Sequence, residues 1–107
     1  MARIKSNPMN YNKCRDILNG RGQKKLAGNT WLRQCGETYV IRFHQTDILT
    51  FFADGSVIVR NGGYQTTTTK ARINEYLGLG IYQKDFVWYY GDKEFRDGMI
   101  VMNSDCS

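Results

Sequence analysis

Apolar positions along this chain recur at two spacings, and the changes between them mark its elements. From residue 10 to residue 18 the spacing is helical: Tyr11, Cys14, Ile17 and Leu18 share a stripe from which Lys13, Arg15 and Asp16 fall away. Asn10 or Asn12 can cap the start, because an Asn side-chain oxygen accepts a free N–H of the first turn. Asn19-Gly20 supplies the left-handed residue that stops a helix. A helix this short is marginal alone and needs a sheet to hold it.

From Thr30 the spacing becomes two. Thr30–Cys35 reads as a short strand, and Gly36-Glu37 turns the chain. Along Thr38–Gln45, Tyr39, Ile41 and Phe43 alternate with Val40, Arg42 and His44, the period of a half-exposed strand. Asp47–Phe52 is β-branched and aromatic, and Asp54-Gly55 is a strong hairpin signal before the return strand Ser56–Arg60. Asn61-Gly62-Gly63 is a second turn or bulge. Tyr64–Thr68 fits one more short strand, with Thr69 as the N-cap of a helix whose stripe is Ile73, Tyr76 and Leu77 and which Gly78 ends. Ile81–Lys84, Phe86–Tyr90 and Phe95–Met102 are the remaining strands, with turns at Gly91-Asp92 and Asp97-Gly98. Closely spaced turns argue for a meander over parallel crossovers. The expectation is an α+β fold: a small single domain, an antiparallel β-sheet meander with one or two short helices packed on it. It spans residues 1–107, with an extended lead-in at 1–9 around Pro8 and a polar tail at 103–107.

Composition narrows the class. A chain of 107 residues is long enough for one core. With 41% hydrophobic, 13% aromatic and 23% charged residues, disorder over the whole length is excluded. Three cysteines (Cys14, Cys35, Cys106) without a C-x-x-C, and a single His, argue against a zinc site or a disulfide framework, so no metal or cofactor is expected. No apolar run suits a membrane span, and no signal peptide is evident, so the expected place is a reducing cytoplasm.

Charge changes the picture most. Residues 1–25 hold seven cations (Arg3, Lys5, Lys13, Arg15, Arg21, Lys24, Lys25) and one anion, whereas residues 26–107 sum to −1. A basic segment on a near-neutral body suggests an anionic partner, and its plainer reading is a solvated basic surface. Within it, Gly20-Arg21-Gly22-Gln23-Lys24-Lys25 could surround a phosphate, but it lacks the P-loop pattern and reads better as a flexible basic connector.

The run His44-x-Thr46-Asp47-Ile48-x-Thr50-Phe51, Asp54-Gly55, Asn61-Gly62-Gly63-Tyr64-x-Thr66-x-Thr68-Thr69-Lys70-x-Arg72-Ile73-Asn74 resembles small proteins encoded by tailed phages and prophages. The resemblance covers roughly residues 29–90. It brings no assigned activity, cofactor or catalytic residue, and it implies an accessory protein made in the cytoplasm of a bacterial host.

Three sets of residues are candidates for chemistry. Lys13, Arg15, Arg21, Lys24 and Lys25 would meet nucleic acid or an acidic partner. Tyr64, Thr68, Thr69, Lys70 and Arg72 lie where a helix N-terminus would favour an anion, with capping and cross-strand pairing as the plainer reading. Asp92, Glu94 and Asp97 around Lys93 fit a metal-dependent nuclease only loosely, and an exposed turn better. His44 and Asp47 lack a nucleophile at a matching spacing, so they read as a surface histidine and a turn residue bonding nearby N–H groups. The aromatics Trp31, Tyr39, Phe43, Phe51, Phe52, Tyr64, Phe86, Trp88, Tyr89 and Tyr90 exceed what one small core hides, so one sheet face should be covered by a helix, a second copy or a partner.

The functional expectation is therefore a non-enzymatic phage accessory protein that binds a host macromolecule, a counter-defence inhibitor being one form. Its basic N-terminal segment and aromatic sheet face would meet a host protein, a nucleoprotein complex or nucleic acid, with a homodimer open. The alternative is a small-ligand binder that sequesters a nucleotide or phosphate signal, and a nuclease ranks last.

Overall fold

Asn10 caps the first helix, α1 (Tyr11–Leu18): its Oδ1 accepts the Lys13 N–H at 2.7 Å, and Asn19 closes the other end in the left-handed region at φ 49°. The structure is a computed structural model, and it describes residues 10–62, 67–77, 81–85, 87–90 and 93–102. The expected lead-in and tail lie outside the described residues, as do residues 64–66 of the strand expected over Tyr64–Thr68, whose last two residues are instead helical.

Five strands follow α1 as a meander: β1 (Gln23–Ala27), β2 (Thr30–Cys35), β3 (Thr38–Phe43), β4 (Thr46–Phe51) and β5 (Ser56–Val59). After β5 come α2 (Thr67–Leu77) and β6 (Tyr82–Lys84), β7 (Val87–Tyr90) and β8 (Lys93–Glu94). The chain then returns as β9 (Met99–Met102) beside β5. The result is a six-stranded antiparallel sheet in the order β1-β2-β3-β4-β5-β9 and a separate three-stranded sheet, β6-β7-β8. The architecture is α+β, as expected, with two sheets in place of one.

Register fixes which side chains share a face, because residues directly opposite across an antiparallel pair point the same way. Leu32, Ile41, Leu49, Val59 and Met99 are paired in one row, and Tyr39, Phe51, Val57 and Val101 in the next. These rows face the core, where Cys14 and Leu18 of α1, Ile73, Tyr76 and Leu77 of α2, and Trp88 and Phe95 all join them. Both helices and the small sheet therefore cover the same face of the large sheet. A β-bulge at Ile41/Arg42 leaves Ile48 as the extra residue of β4, and Ile48 is fully buried.

Several expectations are corrected. The second half of the basic connector over Gly20–Lys25 is instead the start of strand β1, because Gln23–Lys25 pair with Trp31–Arg33. Thr69 is not an N-cap: α2 begins at Thr67, and Thr69 is 4% exposed within it. The apolar stripe begins at Thr69 itself, four residues before Ile73, so the helix starts earlier than a stripe counted from Ile73 implies. Lys93 and Glu94 pair with Tyr90 and Tyr89 as a short strand, where a plain turn was expected. Asp97-Gly98 does turn the chain. The Asp97 carboxylate accepts the Asn61 and Gly62 N–H groups at 2.7 and 3.3 Å, fastening β9 to the end of β5.

Candidate functional site

The face of the large sheet that the helices leave uncovered carries a different set of rows. One reads Lys25, Trp31, Arg42 and Asp47 across β1 to β4. The next reads Gln23, Arg33, Val40, Thr50, Ile58 and Ile100 across all six strands. Basic and aromatic residues thus gather on β1–β3, and aliphatic ones on β5 and β9. Trp31 is 36% exposed, and Ile100 is 66% exposed. Val40 is buried yet stands outside the core cluster, as a residue walled in by its neighbours on this opposite face should.

Arg42 is held at the rim of the β3–β4 turn. Its Nε lies 3.7 Å from Asp47 Oδ1, and its Nη2 donates to the Gln45 carbonyl at 3.3 Å. The pair is substantially exposed, so it orients the guanidinium more than it stabilises the fold. Trp31 sits between Lys25 and Arg42 in register, with Arg33 two residues along its own strand.

Of the five basic residues singled out in the sequence, the structure brings only Lys25 to this row. Lys13 and Arg15 are exposed on α1, where Arg15 lies 3.7 Å from Asp16, and Arg21 is exposed between α1 and β1. Lys24 pairs with buried Leu32 and so points to the opposite side from Lys25. Trp31 figured in the sequence only as one aromatic among many, and Arg33 and Arg42 were not singled out. The signal lay in the two-residue alternation of Thr30–Cys35 and Thr38–Gln45 once the hairpin register between them is laid down. Among the other described aromatics, Tyr39, Phe43, Phe51 and Trp88 are buried, whereas Tyr82 is 44% exposed and stacks on half-buried Tyr89 at 5.7 Å between centroids.

On the covered side, at the same end of the sheet, a cavity of about 660 Å³ opens between the β3–β4 turn and the start of α2. Phe43, His44, Gln45, Thr46, Ile48, Thr68 and Thr69 line it. His44 takes the left-handed turn position at φ 56°, with its ring edge-on to Phe43 at 4.3 Å. Gly62 packs so closely behind Thr46 that a Cβ there would lie 2.7 Å from the hydroxyl. Among the anion candidates, Thr68 and Thr69 line the cavity. The Arg72 guanidinium lies 5.9 Å from the centroid of the Phe43 ring, its Nη1 donates to Glu75 at 3.2 Å, and its Nε is buried with no hydrogen-bond partner. Lys70 does not line the cavity, and Tyr64 is outside the described residues.

Asp97 serves the β5 end, Glu94 is exposed on β8, and Asp92 is outside the described residues. Among the described residues no three His, Cys, Asp or Glu side chains converge as a metal would require. Asp47, expected to bond backbone N–H groups in a turn, instead lies in β4 beside Arg42.

Among the described residues no helix is long and apolar enough to cross a membrane. No curated protein and no solved structure matches the chain. The profile described as Kyanoviridae Gp96 protein matches residues 7–102, nearly the whole length, and the phage origin implied by the resemblance agrees with it. The chain belongs to the Kyanoviridae Gp96 family of phage proteins.

Proposed function

We propose that this phage protein acts by binding, without catalysis, and that its contact surface is the open face of β1–β4. The partner is an anionic macromolecule of the host, met in the host cytoplasm. Blocking a host defence complex is one task such binding would serve. The observation that carries the reading is the row in which exposed Trp31 stands between Lys25 and Arg42, with Arg33 beside it. Residues 21–51 hold five cations (Arg21, Lys24, Lys25, Arg33, Arg42) against two anions (Glu37, Asp47), so this part of the chain is itself basic. Aromatic and arginine side chains at the centre of a surface are the usual anchors of macromolecular contacts.

Retention on an immobilised polyanion, read as salt is raised, tests this. The wild type should bind at low salt and elute progressively as counterions compete. Lys25→Gln with Arg33→Gln and Arg42→Gln should abolish retention, whereas Lys13→Gln with Arg15→Gln should leave most of it. Equal retention of the two variants would sink the reading.

A second reading, a binder that sequesters a nucleotide or phosphate signal, is favoured by the cavity beside Thr68 and Thr69. Its volume suits a small ligand. A panel of nucleotides should then raise the melting temperature, and Gln45→Ala with Thr68→Ala, both in the cavity lining, should remove the shift. No shift across the panel would dispose of it.

A further inference from the structure

The open face fits one kind of polyanion better than others, and we propose that its ligand is single-stranded nucleic acid, with an unpaired base stacked on Trp31. This rests on the reading of that face as an anion-binding surface and names the substrate class.

Three observations converge. Trp31, the second residue of β2, is 36% exposed, and an indole plate accepts a base only when that base is not already stacked within a duplex. Cations bracket the ring on both sides along its row, Lys25 from β1 and Arg42 from β3, and Arg33 follows about 7 Å further along β2. A strand laid across β1–β3 would therefore meet positive charge on either side of the stacking plate. Finally, both helices pack on the opposite face. Among the described residues this face presents only strands, with no helix to enter a major groove as helix-based duplex readers do. An acidic protein would use the same charges and could also anchor on the indole, and the oligonucleotide test separates the two.

Asp47 makes the proposal sharper. It is the one anion in the row, it lies 3.7 Å from Arg42, and it withholds part of that charge from any ligand. Removing it should strengthen binding, an outcome that damage to the fold would not mimic.

The test uses the full chain with labelled oligo(dT), oligo(U) and a DNA duplex of the same length. The two tryptophans separate the signal, because Trp88 is fully buried while Trp31 is accessible. Single strands should quench Trp31 emission and bind more tightly than the duplex, with a log–log salt slope of about −2 for three cations. Trp31→Ala should weaken binding roughly 5- to 150-fold. Trp31→Phe should stay within a few-fold of wild type, and Asp47→Asn should tighten binding. Unchanged Trp88 emission and melting in each variant would establish that the fold is intact.

The proposal is overturned if the duplex competes as well as the single strand, or if Trp31→Ala binds like wild type. In both cases, loss of binding in the Lys25, Arg33 and Arg42 triple variant would leave the broader polyanion reading standing. If the wild type retains no polyanion at low salt, both fall. A preference for DNA over RNA, or the reverse, supports the proposal and names the sugar.

Discussion

The two faces of the large sheet come from the same strands and obey opposite rules. Leu32, Ile41 and Leu49 on one face are fully buried. Each such side chain contributes about 1.5–3 kcal/mol by leaving water. Their sequence neighbours Trp31 and Arg42 on the other face remain exposed or half-exposed. Both sets alternate along the same strands. What separates them is cover: α1, α2 and the small sheet all lie on one side. A sheet covered once devotes one face to folding and leaves the other free to be selected for something else.

The two tryptophans offer the widest contrast. Trp88 is fully buried with its ring 5.3 Å from Phe95, whereas Trp31 is 36% exposed. Trp88→Ala should destabilise by about 3–5 kcal/mol, the range for deleting a buried large aromatic. Trp31→Ala should change stability by less than about 1 kcal/mol. Urea midpoints of the two variants measure both. A large loss from Trp31→Ala would mean that the open face belongs to the folding core, and the division between the faces would collapse.

Cysteines divide the same way and add a pH signature. Burial pushes the Cys14 thiol up from 9.0 to about 12, whereas Cys35 is exposed at the end of β2. In a Cys106→Ser background a thiol reagent should label Cys35 at once, and Cys14 only on unfolding. The raised thiol also makes stability fall with pH. Above pH 9.0 the unfolded chain loses a proton that the folded chain keeps until about pH 12, so alkali favours unfolding across that window. The Tyr76 phenol is held above its ordinary 10.0 by burial, then by Glu75, and adds a loss of the same sign at higher pH. Cys14→Ala should therefore flatten the decline between pH 9 and 10 in particular. An unchanged slope there would show that the thiol is not sequestered.

Elements with a strong local period were legible in the sequence, and those set by distant pairing were not. The Asn10 cap, the Asn19 stop, the β2 span and the Asp54-Gly55 turn all follow from near neighbours. At that turn Asp54 accepts the Ser56 N–H at 2.9 Å and the hydroxyl at 2.6 Å. Strand β1 was missed because Arg21-Gly22-Gln23-Lys24-Lys25 has no apolar alternation of its own. It is strand only because β2 offers a free edge, and edge strands tolerate charge. The partnership of β5 with β9 spans the whole α2–β8 excursion, and Asp97 anchors it from 36 residues away. The binding row was hidden for a related reason. Charge counted along the chain favours residues 1–25, but register assembles Lys25, Trp31 and Arg42 from three strands and sends Lys24 to the other side.

The smallest expected effect is also the most telling about the open face. Arg42 and Asp47 form its one described ion pair, at 3.7 Å, with side chains 36% and 48% exposed. At such exposure solvent screens the attraction, and ordering two long side chains offsets much of what remains. Arg42→Gln should therefore shift stability by no more than about 0.2–1 kcal/mol, and the shift should shrink further as salt is raised. A double-mutant cycle with Asp47→Asn would isolate the pair from the bond Arg42 makes to the Gln45 carbonyl. A coupling well above that range would assign Arg42 to holding the β3–β4 turn. A coupling near zero, with an unchanged midpoint for Arg42→Gln alone, leaves the guanidinium structurally dispensable, as a group kept for an outside partner would be.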